Sequence, residues 1–369
     1  MIAEILGAAS AAIWLYLLVG RGGFWRFRDA AGVGALPTPP PSVVAVVPAR
    51  NEAETVGRAI GSLAAQRYPG AFHIVLVDDA SSDGTAEAAR AAAPTELLTV
   101  IRSAPLPPGW TGKLWAVEQG VREAARLRPD YLLLTDADIA HALGNAASLA
   151  ARAESGGYAL VSYMATLECR TFAERAVVPA FVFFFFMLYP PAWTADPRRA
   201  TAGAAGGCML VRREALERMG GIESIRGELI DDCALARAIK RGGGRVWLGL
   251  SAATRSIRSY QTFGELFRTI SRTAFTQLGH SYAILAGTLA GLALTYLVPP
   301  CTALRPFGAL AWLMMSVCYY PALRFYRRSA WWAPCLPLVA AFYMAATAYS
   351  AIAYRRGAGG MWKGRAQDG

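Results

Sequence analysis

The sequence predicts an α/β domain with a mainly parallel sheet, joined at both ends to apolar segments that are suited to a membrane. Short runs of Val, Ile and Leu alternate with helical patterns between residues 43 and 136. The N-terminal and C-terminal regions contain apolar runs close to the ~20 residues that a membrane-spanning helix needs. Of the 369 residues, 54% are hydrophobic and only 17% are charged. The mean hydropathy of +0.30 fits a chain with membrane-buried sequence.

The first apolar run covers residues 2–20 and is followed by three basic residues, Arg21, Arg26 and Arg28. No small-residue cleavage site precedes these arginines, so residues 1–22 are expected to be an uncleaved transmembrane anchor and not a secretory signal. Basic residues favour the cytoplasmic side of a span, which places the following domain in the cytoplasm. Residues 23–41 are expected to be a linker, since it ends in PTPPP, which cannot continue a helix.

Strand and helix patterns alternate after the linker. The predicted strands are residues 43–47, 73–79, 97–101 and 131–136. The predicted helices are residues 52–66, 83–93 and 113–127. Continuous apolar strands that alternate with helices are typical of a parallel sheet covered on both faces. No GxGxxG motif follows the first strand, so a dehydrogenase-type dinucleotide site is excluded.

Charged side chains gather where three of these strands end, at Arg50 and Glu52, at Asp78 and Asp79, and at Asp136 and Asp138. Ligands of such sheets bind at the carboxyl ends of the strands. Asp136 and Asp138 are two residues apart, so in an extended chain they point the same way. Paired carboxylates without a nearby histidine suit Mg²⁺ or Mn²⁺. The alternative for both acidic pairs is a helix cap or a solvated loop.

The composition limits the other classes of partner and metal. A net charge of +11 is compatible with nucleic acid, anionic lipid or a small anionic substrate. No zinc-finger, RNP or basic-zipper pattern occurs, so no nucleic-acid partner is expected. The six cysteines stand alone and the three histidines lie far apart, which argues against a structural zinc site and a disulfide framework.

Three more apolar runs lie in the C-terminal region, residues 280–356, at about 281–299, 307–323 and 331–354. The middle run is short for a perpendicular span of about 20 residues. Four full spans would put both termini outside, yet the chain end, including the tail 357–369, is basic and favours the cytoplasm. One of the runs is therefore expected to be re-entrant or interfacial, and the number of spans stays open.

Two segments are expected at the membrane surface. The run FVFFFFMLYPPAW (181–193) is too short to span, so residues 177–193 are predicted to be an interfacial helix, with a buried core helix as the alternative. Residues 262–278 are predicted to be an amphipathic helix that opens with a Thr262–Glu265 capping box.

Six motifs together resemble the family 2 glycosyltransferases of the GT-A fold. In chain order they are VVPARNEAETV, VLVDDASSDGT, GWTGKLWAV, LLLTDADI, GGCMLVRREAL and LIDDCALARAIK. The resemblance covers about residues 42–275, and it implies a GT-A nucleotide-sugar-binding domain over residues 42–279. The end of the chain, with RRGAGGMWKGR after the last apolar run, is most similar to the hopene-associated (hopanoid biosynthesis) group of that family.

The resemblance implies a set of residues that bind the nucleotide sugar: Pro48, Arg50, Glu52, Asp78, Asp79, Lys113, Asp136, Gly207 and Arg272. Asp78 or Asp79 would accept a hydrogen bond from the uracil ring. Lys113 would lie near the base or the phosphates, with a solvated lysine at a helix start as the alternative. Asp136 and Asp138 would hold Mg²⁺ or Mn²⁺, which neutralises the diphosphate leaving group.

The acceptor side is implied by the second half of the domain. The family has Glu-Asp-x-x-Leu where this chain has Asp231-Asp232-Cys233-Ala234-Leu235, so the catalytic residues would be Asp231 and Asp232, with Asp232 as the general base. Plain N-terminal helix charges are the alternative. Processive relatives have Gln-x-x-Arg-Trp where only Arg272 matches here, which argues against a polymer synthase. Arg268 and Arg272 share a helix face, and an anionic-lipid contact is their alternative role.

The resulting hypothesis is a multi-pass, cell-membrane, inverting glycosyltransferase of the bacterial type, with a cytoplasmic catalytic domain. It would move one sugar from a nucleotide sugar, expected to be UDP-linked, to a lipid acceptor, and to a hopanoid if the narrower resemblance holds. The alternatives are a polyprenyl-phosphate or polysaccharide sugar transferase and a catalytically silent membrane scaffold. The intact acidic residues weigh against the scaffold. The sugar, the acceptor, the choice of metal and the oligomeric state stay open.

Overall fold

A computed structural model describes residues 1–30, 34–356, 361–362 and 365–366. The chain divides into two compact units. The helical unit comprises Met1–Phe27, Glu168–Ala192 and Ser259–Gly360. The sheet unit comprises Arg28–Leu167, Trp193–Arg258 and Met361–Gly369.

The described strands are β1 Val43–Ala49, β2 Phe72–Asp78, β3 Leu98–Arg102, β4 Tyr131–Thr135, β5 Ile139–His141, β6 Leu160–Thr166, β7 Cys208–Arg212, β8 Val246–Ser256, β9 Met361–Trp362 and β10 Arg365–Ala366. The described helices are α1 Ile2–Val19, α2 Ala53–Ala64, α3 Thr85–Arg90, α4 Gly112–Ala124, α5 Asn145–Gly156, α6 Phe172–Leu188, α7 Pro191–Ala195, α8 Arg213–Arg218, α9 Asp231–Arg241, α10 Phe263–Ser271, α11 Ala274–Gln277, α12 Tyr282–Leu292, α13 Val298–Cys301, α14 Pro306–Phe325 and α15 Leu336–Arg355. Short 3₁₀ segments lie at Ala125–Leu127, Ile222–Ile225 and Ala330–Cys335, and a π-helical turn, Ala293–Leu297, joins α12 to α13.

The sheet unit is built on one eight-stranded sheet with the strand order β3-β2-β1-β4-β7-β6-β8-β5. β1 pairs in parallel with β2 and β4, β2 with β3, and β6 with β8. β7 is antiparallel to both of its neighbours, and β5 is antiparallel to β8. The predicted α/β fold with a mainly parallel sheet is therefore confirmed. The four strands predicted along residues 43–136 correspond to β1 to β4.

Alternate residues of the central strand β1 enter two separate core layers. Val44 and Val46 pack in the layer that contains α4 and α9, while Val43, Ala45 and Val47 pack in the layer that contains α2 and α5. All seven residues of β1 are buried because helices cover both faces of the sheet. This burial explains why the strand is a continuous apolar run in the sequence.

Helix α4 approaches β1 closely enough to require a glycine. A Cβ added at Gly120 would lie 2.4 Å from Val46 Cγ1, which is an overlap. The helix begins at Thr111, whose side chain accepts a hydrogen bond from the Leu114 N–H. Together, the close approach and the cap fix the first turn of α4, which carries Lys113, near the end of β1.

The helical unit contains the apolar segments. Within the part of the chain that the structure describes, five helices are long and apolar enough to cross a membrane by length and composition: Ile2–Val19, Phe172–Ala195, Tyr282–Cys301, Pro306–Phe325 and Ala330–Arg355. The second of these corrects the sequence argument that the run at 181–193 is too short to span. Thr171 and Glu174 form a capping box that starts α6 nine residues before that run, and the helix continues through Pro179.

Contacts within the helical unit give the directions of its long helices. Glu4 pairs with Arg305 at 3.6 Å, so α1 and α14 begin at the same end and run parallel. Trp14 Nε1 donates to Thr295 O at 2.7 Å, and a Cβ added at Gly7 would lie 3.5 Å from Thr302 Oγ1, so the α12–α13 segment runs antiparallel to α1. Ser350, near the end of α15, accepts from the Phe275 N–H just before α12. α15 therefore ends where α12 begins.

The predicted amphipathic helix 262–278 is divided into α10 and α11. Thr262 accepts from the Glu265 N–H at 3.3 Å, but the Glu265 carboxylate accepts from the Gln261 N–H, so only half of the expected capping box forms. Phe263 and Phe267 pack on Phe342 of α15, which covers part of the apolar face.

Candidate active site

A cleft opens at the carboxyl ends of the central strands of the sheet unit. It is lined by Pro48, Lys113, Leu114, Val117, Leu134, Thr135, Asp136, Gly206, Met209, Ile222, Ile225, Asp231 and Leu235. Four residues of the predicted site are among them, namely Pro48, Lys113, Asp136 and Asp231. The structure thus brings together residues that are up to 183 positions apart in the chain.

Lys113 bridges two carboxylates in this cleft. Its Nζ lies 3.0 Å from Asp136 Oδ1 and 3.1 Å from Asp231 Oδ2. Burial disfavours the charged form of Lys113, but the charges of Asp136, Asp231 and Asp232 outweigh it and raise the pKa of the amine. Lys113 is therefore a fixed cation in the site, and the interpretation of it as a solvated lysine at a helix start is wrong.

Asp232 sits in the first turn of α9 and is held by two backbone donors. Its Oδ2 accepts from the Gly206 N–H at 2.9 Å and its Oδ1 from the Cys233 N–H at 2.7 Å. Burial and the neighbouring charge of Asp231 raise the pKa of Asp232 to about 6, against the lowering effect of Lys113 and the two hydrogen bonds. A carboxylate with a pKa near neutrality has the basicity that a general base needs.

The two acids after β4 have different cationic partners. The Ile139 N–H donates to Asp136 O at 3.2 Å, so residues 136–139 form a turn and not the extended chain that the spacing argument assumed. Asp136 faces Lys113, whereas Asp138 Oδ2 accepts from Arg258 Nε at 2.7 Å. Burial and the charge of Asp136 raise the pKa of Asp138, while Arg258 lowers it.

Arg258 is a site residue that the sequence analysis missed. Besides Asp138, its guanidinium contacts both carboxylate oxygens of Glu52, at 2.7 and 3.0 Å. It directly follows the paired part of β8, where the Ile257 N–H donates to Asp138 O at 2.8 Å. The pairing of β8 with β5 brings Arg258 next to Asp138 and Glu52. The sequence motifs that predicted the other site residues do not include Arg258.

The loops after β1 and β2 hold each other. Arg50 donates to Asp79 O at 2.6 Å and lies 3.4 Å from Asp79 Oδ2, and the Asp79 side chain is buried. Asp78 Oδ1 accepts from the Ser81 N–H at 3.2 Å. Helix α3 is preceded by Asp83, whose carboxylate accepts from Thr85 and from the Ala53 N–H. Asp78 and Asp79 therefore do not cap α3, although capping was the alternative for them.

The two glycines before β7, Gly206 and Gly207, make different contacts. Gly206 lines the cleft, and a Cβ there would lie 3.4 Å from both Asp232 Oδ2 and Lys113 Nζ. Gly207, the residue named from the sequence, gives its carbonyl to Thr135 Oγ1 at 2.7 Å, and a Cβ there would lie 3.1 Å from Ile139. Gly206 is thus the glycine that contacts the charged groups.

A buried polar network contacts Thr135, the last residue of β4. Thr135 Oγ1 contacts His141 Nε2 at 3.0 Å, and His141 Nδ1 contacts Asn145 Nδ2 at 2.8 Å. Burial lowers the pKa of His141 to about 4, so the imidazole is neutral at physiological pH. His141 is consequently a support for Thr135 and not a titrating group of the cleft.

Arg272 belongs to the helical unit, where it follows the last residue of α10. Its predicted contact with the diphosphate stays a prediction.

The donor set fits a divalent cation only if a ligand supplies further oxygens. Within residues 1–30, 34–356, 361–362 and 365–366, no cluster of three His, Cys, Asp or Glu side chains could hold a metal ion. Asp136 and Asp138 offer carboxylate oxygens, which Mg²⁺ and Mn²⁺ prefer, and Mg²⁺ typically takes its remaining ligands from substrate phosphates and water. The site therefore suits an ion that is shared with a phosphate-bearing substrate.

Residues 44–220 match the family model described as Glycosyl transferase family 2. No curated protein matches the sequence. The matched segment contains β1 to β7 and ends before α9, so it includes Lys113, Asp136 and Asp138 but neither Asp232 nor Arg258. Together with the strand order, the match confirms the predicted GT-A type of α/β fold.

One solved structure gives the same fold over most of the chain, and two others are reported for their similarity alone. The mannosyltransferase PcManGT from Pyrobaculum calidifontis, in complex with GDP-Man and Mn²⁺, is 21% identical with a TM-score of 0.58, over 94% of this chain and 98% of that one. Mannosyl-3-phosphoglycerate synthase from Rubrobacter xylanophilus is 20% identical with a TM-score of 0.38, over 66% and 76% of the two chains. Glucosyl-3-phosphoglycerate synthase from Mycobacterium tuberculosis, with Mn²⁺, UDP-Glc and glycerol 3-phosphate, is 18% identical with a TM-score of 0.41, over 65% and 79%.

Proposed function

We propose that the chain is a membrane-bound, metal-dependent, inverting glycosyltransferase that moves a single sugar from a nucleotide diphosphate sugar to a lipid hydroxyl. One observation carries the proposal, namely that Lys113 bridges Asp136 and Asp231 in one cleft, next to the hydrogen-bonded Asp232. This arrangement places a fixed cation and a basic carboxylate side by side. Such a pair serves a displacement in which a diphosphate leaves while a hydroxyl loses its proton.

The reaction follows from the roles of these groups. Asp232 takes the proton of the acceptor hydroxyl as the hydroxyl oxygen attacks the anomeric carbon, and the bond to the diphosphate breaks on the opposite face. A single displacement of this kind needs one base and no covalent intermediate, and it inverts the anomeric centre. Lys113 offers positive charge close to the leaving diphosphate. Asp136 and Asp138 would hold Mg²⁺ or Mn²⁺, which when bound neutralises the developing diphosphate charge.

The donor nucleotide is expected to carry uridine, on the resemblance of the DDASSDGT segment to the family motif. The Pyrobaculum calidifontis mannosyltransferase was solved with GDP-Man and Mn²⁺, which supports a nucleotide sugar and a divalent cation and makes guanosine donors a necessary part of any test.

A lipid acceptor is supported by the exposed apolar surface of the helical unit. Large apolar side chains are exposed on α1, α12, α14 and α15, among them Leu15, Val19, Ile284, Leu310, Leu313, Leu338 and Ile352. An apolar surface of this extent is stable when lipid covers it. An acceptor with a hopanoid skeleton rests on the narrower sequence resemblance alone.

Arginines collect at one end of the helical unit, which supports the orientation of the chain. α1 and α14 run parallel, and α15 ends where α12 begins, so the basic residues in or just after the last turns of α1, α14 and α15 share one end: Arg21, Arg324, Arg327, Arg328, Arg355 and Arg356. At the opposite end Arg305 is paired with Glu4. By the positive-inside rule, the arginine-rich end faces the cytoplasm.

The segment Ala330–Arg355 is then a re-entrant hairpin. Trp312 Nε1 donates to Pro334 O at 3.0 Å, so the chain after α14 turns back but reaches only the level of residue 312. Helix α15 then returns to the arginine-rich end, where Tyr354 stacks on His280 at 4.2 Å. A hairpin that enters and leaves the membrane on the cytoplasmic side keeps the basic C-terminal tail in the cytoplasm, while the N-terminus lies outside.

Helix α6 ends at the arginine-rich end in the same scheme, because Met187 O accepts from Arg21 Nε at 3.0 Å. At its start, Phe172 packs on Trp332, two residues before Pro334 in the proposed hairpin. These contacts support the interfacial helix predicted for residues 177–193.

This topology predicts the outcome of reporter fusions in bacterial cells. Fusions after residue 303, in the loop between α13 and α14, are expected to be active with alkaline phosphatase and dark with green fluorescent protein. Fusions after residue 329 and at the C-terminus are expected to show the reverse, because both positions follow arginine-rich helix ends. Phosphatase activity at the C-terminus together with fluorescence at residue 329 would show that Ala330–Arg355 is a full span, and phosphatase activity at residue 329 would contradict the proposed orientation.

The proposed function itself is tested by incubating membranes that contain the chain with labelled UDP- and GDP-sugars and a divalent cation. We expect one labelled sugar per lipid molecule, identified by mass, and no label after addition of a chelator. Products of many sugars would favour the polysaccharide alternative, and a labelled polyprenyl phosphate would favour the polyprenyl-phosphate transferase. Neither transfer nor hydrolysis across the donor panel would favour the silent scaffold.

A further inference from the structure

The guanidinium of Arg258 is a positive charge between two acids, Glu52 after β1 and Asp138 after β4. Its guanidinium bridges Glu52 and Asp138 through three contacts of 2.7, 2.7 and 3.0 Å, and its side chain is 34% exposed. Glu52 and Asp138 are 12% and 17% exposed, so neither carboxylate is fully solvated. Carboxylates in such surroundings are unfavourable without a positive partner.

The ion pairs of Asp136 and Asp138 each use one carboxylate oxygen and leave the other for a metal. Arg258 uses Oδ2 of Asp138 and Lys113 uses Oδ1 of Asp136. Among the residues that the structure describes, no side chain donates to the other oxygen of either carboxylate. A cation could therefore contact Asp136 and Asp138 while both ion pairs persist, but it would do so beside two fixed positive charges.

We propose that Arg258 is a positioning residue that keeps divalent cations weakly bound until the nucleotide arrives. This inference rests on the proposed function. Without a nucleotide, the guanidinium neutralises Glu52 and Asp138 and repels a second cation at Asp138. A diphosphate supplies negative charge that compensates both Arg258 and the incoming ion, and a planar guanidinium is suited to phosphate as well as carboxylate. Binding of the metal and binding of the nucleotide are thereby coupled.

The backbone around Arg258 is fixed, as a positioning role requires. The pairing of β5 with β8 sets Ile139 opposite Ser256, and the Ile257 N–H donates to Asp138 O at 2.8 Å. Arg258 comes directly after this paired segment. The pairing of the strands therefore holds the backbone before Arg258 next to Asp138.

The test is the binding of Mn²⁺ to the purified full chain, measured from the spin resonance signal of the free ion, with and without UDP or GDP. Arg258→Gln is expected to bind Mn²⁺ alone about tenfold more tightly than the wild type, since a nearby positive charge is gone. It is also expected to lose most of the tightening that the nucleotide produces. A purely structural role of Arg258 would weaken folding but would not strengthen binding of the metal.

Arg213→Gln is the matched control, because Arg213 is 32% exposed and contacts Glu217 at the same 2.7 Å. It should leave both Mn²⁺ titrations unchanged. If Arg258→Gln fails to fold, Arg258→Lys is the second variant, because lysine keeps a point charge that cannot bridge both acids. In Arg258→Lys the nucleotide should tighten Mn²⁺ binding less than in the wild type, but more than a neutral residue at this position would allow.

The inference about Arg258 is overturned if Arg258→Gln binds Mn²⁺ alone as weakly as the wild type, or if its coupling to the nucleotide is intact. A wild-type protein in which neither UDP nor GDP tightens Mn²⁺ binding would instead contradict the proposed function. The two failures are distinguishable, since the first is a comparison of variants and the second concerns the wild type alone.

Discussion

Replacing Asp232 by Asn is expected to lower the rate of sugar transfer by about 10²- to 10⁴-fold, the usual contribution of a general base, while the nucleotide donor still binds. Asn retains one oxygen that can accept from the Gly206 or the Cys233 N–H, so the start of α9 should keep its place. The measurement is single-turnover transfer together with the affinity for the nucleotide diphosphate. Wild-type transfer in this variant would contradict the assignment of Asp232 as the base.

Asp231→Asn is the comparison that assigns the base. Asp231 is adjacent in the chain, but its carboxylate pairs with Lys113 at 3.1 Å instead of accepting from the backbone. Loss of this acid should weaken donor binding through Lys113 and leave more of the chemistry intact. If Asp231→Asn is the variant that loses turnover at saturating donor, then Asp231 is the base and Asp232 supports it.

The dependence of the rate on pH provides a second check of the same residue. Burial and the charge of Asp231 raise the pKa of Asp232 to about 6. Only the deprotonated form accepts a proton, so the rate should fall as the pH drops through about 6 and should be at its plateau above it. The residual rate of Asp232→Asn should lack this acidic limb. An identical limb in the variant would mean that another group controls it.

The first half of the sheet was predictable because each element there has a local signal. β1 to β4 are continuous apolar runs, and each is followed along the chain by polar residues, so both the strands and the end of the sheet that carries the site could be read from the sequence. β5, with three residues, carries no such pattern, and its antiparallel pairing with β8 is a tertiary property. The sheet edge that holds Arg258 was therefore not predictable.

The site was predicted as a set of residue types but not as a set of contacts. The two-residue spacing of Asp136 and Asp138 led to the expectation of one shared direction, whereas the turn at Ile139 gives them different cationic partners. Likewise, the sequence named Gly207, while the register of β7 places Gly206 against Asp232. Spacing along the chain fixes direction only inside a regular strand or helix, and these residues lie just outside one.

The apolar segments show the limit of an argument from length. The run at 181–193 was judged too short to span because its start was taken from hydropathy alone, and the capping box at Thr171 lengthens the helix to Phe172–Leu188. The segment Ala330–Arg355 is long enough to span by composition, yet Pro334 lies beside Trp312 of α14 and Tyr354 stacks on His280, and these contacts support the proposed path that turns back to the side where it began. Contacts with neighbouring helices decide the path of a segment when its length permits several.

Replacing Lys113 by Met is expected to weaken binding of the nucleotide diphosphate by about 10²-fold, the order that follows from losing a charge-assisted contact in a half-buried site. Lys113 is 20% exposed and separates Asp136 from Asp231, so its loss leaves two carboxylates facing each other without a cation. The same substitution should lower the free energy of unfolding by about 1–3 kcal/mol, less than for a fully buried pair because water reaches the site. Calorimetric titration with UDP or GDP and chemical unfolding measure the two effects.

A second substitution separates electrostatic repulsion from the loss of the binding group. Adding Asp231→Asn to Lys113→Met removes the unpaired charge, so most of the lost stability should return while the affinity for the nucleotide stays low. Lys240→Met is the control on α9, because the Lys240 Nζ donates to the carbonyls of Trp193, Thr194 and Thr201 and its loss should cost stability alone. If Lys113→Met bound the nucleotide like the wild type, the lysine would be a structural counter-ion of the two acids and the diphosphate would lie elsewhere in the cleft.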